Sequence, residues 1–161
     1  MATPDSAGPE APMKVTLRDI DQSNWRACMG MKDQPYVASN VYSIAETKVF
    51  PRLRPMCIYH DGEPVGFVMY GPSHSDEHDG EIMVIHRLMI VEERQGRGYG
   101  SGAVRQVLEM VRKLGTWREV YISTSRDNVS AARLYERLGF AKTGDMWDEE
   151  EIFVFDLEQL G

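Results

Sequence analysis

The residues best suited to chemistry gather around a glycine-rich turn, Gln95-Gly96-Arg97-Gly98-Tyr99-Gly100-Ser101, in a chain of 161 residues. Glycine lets the backbone approach a ligand closely and adopt conformations other residues resist. Val104, Val107, Leu108 and Val111 then recur at helical spacing. A helix opening on glycines presents unpaired N–H groups and the positive end of its dipole, which together suit a pyrophosphate. Arg97 adds a cation at the rim. Upstream, His86 lies two residues before Leu88, so both point to the same face of a regular strand. Its ordinary pKa near neutrality suits proton removal, although a packed or surface histidine is the alternative. Downstream, Tyr135 stands four residues after Ala131 on an apolar helical face, as a weak acid or as a core residue.

Three phosphate-binding patterns compete for the turn. A P-loop needs Lys-Ser or Lys-Thr after its last glycine, and neither follows here. Gly98-Tyr99-Gly100-Ser101-Gly102-Ala103 matches the dinucleotide pattern GxGxxA, and Glu119 follows about 20 residues on. However, Glu119 opens the next strand instead of closing it, and too little chain remains for a doubly wound sheet.

The third pattern is a resemblance. Gln95 to Gly100 fits the Q/R-x-x-G-x-G/A signature of the GNAT superfamily of N-acetyltransferases. Asn128-Val129-Ser130-Ala131-Ala132-Arg133-Leu134-Tyr135-Glu136-Arg137-Leu138-Gly139-Phe140 is similar to that superfamily's N-x-x-A-x-x-x-Y-x-x-x-G-F segment. The resemblance spans about Lys14 to Leu157 and implies acetyl-CoA as cosubstrate. By it, Gln95, Gly96, Arg97, Gly98, Tyr99, Gly100 and Ser101 bind the pyrophosphate. Leu88, Met89 and Ile90 run beside the pantetheine arm, and an N–H near Met89 or Ile90 polarises the thioester carbonyl. Tyr135 gives a proton to the departing sulfur. Asn128 contacts the pantetheine or substrate side, or serves as a helix N-cap, or does both. Some members carry a glutamate base on the strand where Val84 stands, so that mechanism does not transfer. His86 or a water chain is left to take the amine proton.

Acetyl transfer needs a neutral amine, donors for an oxyanion, and a proton for the leaving thiolate. Tyr36-Val37-Ala38-Ser39-Asn40 and Tyr42-Ser43-Ile44-Ala45-Glu46 resemble the substrate-side helices of bacterial spermine/spermidine acetyltransferases. A polyamine needs carboxylates along a groove and aromatic faces for its methylenes and cations. Tyr36, Tyr42 and Glu46 are the candidates, with Asp76, Glu77, Asp79, Asp148 and Glu149 as a second rim. A protein N-terminus, an amino acid or an antibiotic amine are alternative acceptors. A non-catalytic acetyl-CoA-binding module is the alternative outside enzymes.

Positioning these groups takes a single α/β (α+β) domain, a mixed, mostly antiparallel sheet flanked by helices, over residues 13–161. Strands are expected at Lys14 to Arg18, Met56 to Tyr59, Val65 to Tyr70, Glu81 to Val91, Glu119 to Ser123, Phe140 to Met146 and Ile152 to Leu157. Early helices are expected near Trp25 to Met31 and Ser43 to Val49, ahead of those after the glycines and after Asn128. Residues 1–12 read as a disordered tail without the basic start and apolar run of a secretory signal. A net charge of −7 disfavours nucleic acid, and no apolar run is long enough to span a bilayer. Cys28 and Cys57 read as buried free thiols, and His60, His74 and His78 as solvated, without metal-ligand spacing. The expectation is a cytoplasmic enzyme for a small amine, and the resemblance adds a homodimer joined through the closing strands.

Overall fold

In the computed structural model, which describes residues 12–74 and 80–161, seven strands form one sheet in the order β1-β2-β3-β4-β5-β7-β6. They are β1 (Thr16–Asp19), β2 (Arg54–His60), β3 (Glu63–His74), β4 (Glu81–Ile90), β5 (Glu119–Ser125), β6 (Ala141–Trp147) and β7 (Glu150–Asp156). Only the β4–β5 contact is parallel; the other five pairings are antiparallel. The mixed, mostly antiparallel sheet expected from sequence is therefore present. The expected tail over residues 1–11, and Asp76, Glu77, His78 and Asp79, lie outside the described residues, as does the side chain of His74.

Helices α1 (Trp25–Met29) and α2 (Asn40–Val49) cover one face, and α3 (Tyr99–Leu114) and α4 (Val129–Leu138) the other. On the first face Cys28, Cys57, Phe67, Met69 and Met89 form a core with Ile44 packed against it. Both cysteines are buried and free. On the second face Val104, Val107, Leu108 and Val111 of α3 meet Ile85, Val120, Ile122 and Phe153. Each such fully buried aliphatic or aromatic side chain contributes about 1.5–3 kcal/mol. Helix α2 starts three residues earlier than its apolar pattern suggests, because the Ser39 side chain accepts a hydrogen bond from the N–H of Tyr42. Strand β3 runs past Tyr70 because its pairing with β4 extends to His74 opposite Glu81.

Two features of the sheet shape the site. First, β4 carries a bulge. Met69 pairs with Arg87 and Tyr70 with Ile85, which leaves His86 as the extra residue. Met83 and Ile85 lie in the α3/α4 core before the bulge, and Leu88 and Ile90 pack against that core after it. The inward-facing parity thus changes at His86, and the simple alternation that put His86 and Leu88 on one face does not cross the bulge. Second, β4 and β5 pair only from Met83–Ile85 to Val120–Ile122. Beyond Ile85 and Ile122 the two strands continue unpaired with each other, and the sheet splits.

Candidate active site

The split opens a cavity of about 610 Å³ that is lined both from the α3/α4 side and by Gln34, Pro35, Tyr36, Val37 and Ala38 ahead of α2. Its floor is the unpaired part of β4, from His86 to Ile90, opposite Ser123 and Thr124 of β5. Gln95, Gly96, Gly98, Tyr99, Gly100 and Ser101 close one end. Gly96 and Gly98 have φ of 74° and 85°, a region that side-chain-bearing residues disfavour. Gly98 caps α3 without any side-chain hydrogen bond. The first intrahelical bond runs from the Gly102 N–H to the Gly98 carbonyl, so the N–H groups of Tyr99, Gly100 and Ser101 precede the ladder. Gly100 and Gly102 serve close packing: a Cβ at Gly100 would sit 3.3 Å from Leu134 Cδ1, and one at Gly102 would meet the Met13 carbonyl at 1.8 Å. Gln95 Nε2 donates to the Ile90 carbonyl at 2.9 Å and ties the turn to β4. A bare helix start facing a long cavity fits a pyrophosphate-bearing cosubstrate. Arg97 is exposed beside this wall and is not part of it.

Helix α4 supplies the opposite wall. The Asn128 side-chain oxygen accepts from the Ala131 N–H at 3.2 Å, and Asn128 also lines the cavity, so the capping role and a cavity position coexist. Tyr135 is 6% exposed, with its ring centroid 5.8 Å from Phe140 and 5.7 Å from Phe153. Its hydroxyl has no hydrogen-bond partner among the described residues, and the residue lines the cavity. Burial pushes the phenol well above its ordinary pKa, and the negative charge of Glu150 pushes it further. Tyr135 therefore stays protonated across the working pH range.

His86 sits at the apex of the split. Its Nε2 lies 3.1 Å from the Gly71 carbonyl oxygen. A carbonyl only accepts, so Nε2 carries the hydrogen and Nδ1 of the neutral ring carries the lone pair. Burial lowers its pKa below the ordinary histidine value, partly offset by the Gly71 bond; Arg87 lowers it and Glu46 raises it by smaller amounts. The ring is neutral at pH 7 and able to accept a proton.

A second cavity, of about 290 Å³, adjoins the first at the split. It shares Ile85, His86, Arg87, Ser123 and Glu150 with the first and adds Ser73, Val84 and Trp147.

The expected polycation trio does not converge. Tyr36 lines the larger cavity, with a left-handed φ of 68°. Tyr42 is 62% exposed and lines neither cavity, because it lies on the outer side of α2. The Glu46 carboxylate accepts from Arg87 Nη2 at 2.9 Å, with both side chains largely buried, so it is engaged by β4 and absent from either wall. His60 is not free in solvent: its ring packs at a tilt against Tyr99, with centroids 4.7 Å apart, and its Nδ1 lies 3.2 Å from the Lys14 carbonyl oxygen. Asp148 and Glu149 are exposed and line neither cavity. Glu150, Ser123 and Arg137 are cavity residues that sequence reasoning passed over. Glu150 was hidden in the acidic run Asp148-Glu149-Glu150-Glu151, which reads as a turn until its pairing with Ser125 is seen. Among the described residues no group of His, Cys, Asp and Glu side chains could hold a metal ion.

Comparison with known proteins matches residues 16–140 to the acetyltransferase (GNAT) family. The chain belongs to that family. It is an N-acetyltransferase with acetyl-CoA as cosubstrate. It is 25% identical to a spermine/spermidine N(1)-acetyltransferase of Bacillus subtilis over 152 residues, covering 90% of this chain and all of the relative. Its fold is similar to that of spermidine N-acetyltransferase from Vibrio cholerae, solved with CoA and spermine, at a TM-score of 0.69 and 15% identity, covering 90% and 96% of the two chains. It is also similar to an aminoglycoside acetyltransferase solved with coenzyme A, at a TM-score of 0.75 and 19% identity, covering 89% and 95%.

Proposed function

We propose that the protein acetylates a primary amine of a small aliphatic substrate, a polyamine such as spermidine or spermine, by direct attack on the thioester. The observation that carries this reading is the meeting of two cavities at the β4–β5 split, with Tyr135 on the wall of one and His86 on the walls of both. The larger cavity takes the cosubstrate: the N–H groups of Tyr99, Gly100 and Ser101 hold the pyrophosphate, with Gln95, Gly96 and Gly98 shaping the turn and Arg97 at the rim. Leu88, Met89 and Ile90 line the arm, and an N–H of Met89 or Ile90 polarises the carbonyl. The cosubstrate supplies the activated acetyl group. His86 Nδ1 accepts the proton of the incoming amine, and Tyr135 delivers a proton to the leaving sulfur. Asn128 supports the larger cavity's wall, and Tyr36 flanks its mouth.

The polyamine choice is supported by the Bacillus relative, which this chain matches over the relative's whole length. A cytoplasmic homodimer joined through the closing strands belongs to the same proposal, and sedimentation and cell fractionation test it. Free-thiol release from acetyl-CoA with a panel of polyamines, amino acids, N-terminal peptides and aminoglycosides tests the acceptor. Spermidine or spermine is expected to give the highest kcat/KM. A panel in which they stay at background while another amine class turns over would sink the polyamine choice.

A further inference from the structure

Glu149, in the turn before β7, and Glu150 and Glu151, which open the strand, have different surroundings. Glu149 is exposed. Glu151 is ion-paired with Arg126 at 3.4 Å and Lys142 at 3.7 Å. Glu150, half-buried between them, makes no ion pair among the described residues. Its register partners are Ser125 on β5 and Trp147 on β6, which set it at the open end of the strand split. Its Oε1 accepts a hydrogen bond from Ser123 Oγ at 3.2 Å. That single bond leaves most of the acceptor capacity of the carboxylate unused. A carboxylate half removed from water without a cation is costly unless something charged completes it.

The nearby positive groups do not supply that partner. Arg87 shares the smaller cavity, but its guanidinium donates to Glu46 and to the His86 carbonyl. His86 is kept neutral by burial. Among the described residues, the Glu150 carboxylate in the smaller cavity therefore has no compensating cation, and Trp147 lines the same cavity. A carboxylate next to an aromatic face is the usual chemistry for receiving an alkylammonium ion.

We propose that Glu150 is the cation receptor on the acceptor side, holding an alkylammonium group that enters through the smaller cavity beside Trp147. This rests on the acceptor reading above and deepens it. Glu150 lines both cavities, so the group it holds lies at the junction with the acetyl-donor side. The site selects aliphatic amines, which are cationic at neutral pH, over uncharged acceptors. The Glu46–Arg87 pair supports this selection by cancelling the charge of Arg87, which would otherwise repel the ligand.

The test is calorimetric binding of spermidine and 1,4-diaminobutane to the coenzyme A complex of wild type, Glu150→Gln and Glu150→Asp, at low and high salt. Thermal melting and coenzyme A affinity check that each variant is folded. Loss of one charge-assisted contact weakens amine binding about 10- to 100-fold in Glu150→Gln. The affinity that remains is less sensitive to salt, and Glu150→Asp keeps most of the wild-type affinity. Unchanged amine binding in Glu150→Gln overturns the proposal. So does equal weakening in both variants with the wild-type salt dependence retained, which is the pattern of a structural defect. Failure of the wild type to bind either amine also overturns it. If the wild type binds amines through Glu150 but releases no thiol with them, the polyamine acetyltransferase reading fails and the receptor assignment stands.

Discussion

Replacing Tyr135 with phenylalanine removes one hydroxyl and nothing else from a ring held by Phe140 and Phe153. The residue is buried on the cavity wall, and its hydroxyl has no protein hydrogen-bond partner among the described residues. Its loss therefore breaks no native bond, and stability is expected to change by less than about 1 kcal/mol in either direction. For a chain of this length that is a shift in Tm of no more than about 2–4 °C. The effect on rate is of another order. A general acid contributes about 10²- to 10⁴-fold, or roughly 3–5 kcal/mol of barrier. Because burial and the charge of Glu150 hold the phenol protonated, the loss is expected to be the same at every pH from neutral to mildly alkaline. Thiol-release kinetics and thermal melting on the same preparation provide both readings. The expected result is a kcat lowered at least about 100-fold with KM for acetyl-CoA and Tm nearly unchanged. A variant that keeps kcat within a few-fold would remove Tyr135 from the mechanism. A large drop in Tm would show that the hydroxyl holds the fold.

Other consequences follow from particular contacts. Glu46→Gln leaves the Arg87 guanidinium without its counter-charge; discounting the 3–5 kcal/mol typical of a broken buried pair for the partial exposure of both groups gives about 1–3 kcal/mol, seen as a lower Tm. Amine KM should rise together with the loss of Tm, because the uncancelled Arg87 charge lines the smaller cavity, and a rise in amine KM with unchanged Tm would return Glu46 to the substrate site. His86 has a folded pKa below its unfolded value, so the unfolded chain binds the extra proton first as pH falls. Its contribution to stability is complete above the unfolded pKa of about 6.5 and is lost as pH falls through the window down to the folded pKa. Denaturant titrations should show that slope in wild type and a shallower one in His86→Gln. The same variant should lose the dependence of kcat/KM on a base titrating below pH 6.5, and an unaltered profile would exclude His86 as the base. Gly102→Ala places a Cβ against the Met13 carbonyl and should cost about 1–3 kcal/mol by overpacking, and removing residues 1–13 should relieve it.

The parts legible in the sequence are those in which backbone geometry demands a residue type. Gly98 is needed where α3 begins in a left-handed conformation, and Asn128 where α4 needs a cap, so both ends of the larger cavity carry local signals. The unread parts depend on partners distant in the chain. No local pattern marks His86 as a bulge, because the extra residue exists only relative to the register of β3. Glu46 looks like a free acid until α2 is docked on β4, which brings Arg87 to it across 41 positions. Glu150 looks like one more turn acid until β7 pairs with β5. The turn and helix starts that wall the larger cavity were thus readable in advance, whereas the smaller cavity is made by tertiary contacts between residues of ordinary local sequence.

The most direct test of the two-sided site is a crystal structure with coenzyme A and spermine bound together. The account predicts the coenzyme sulfur within hydrogen-bonding reach of the Tyr135 hydroxyl on the α3/α4 side of the split. It predicts an amine nitrogen of spermine in the smaller cavity, beside Glu150 and facing Nδ1 of His86. Spermine entering along Tyr42 and the outer side of α2, with Glu150 left in water, would contradict it.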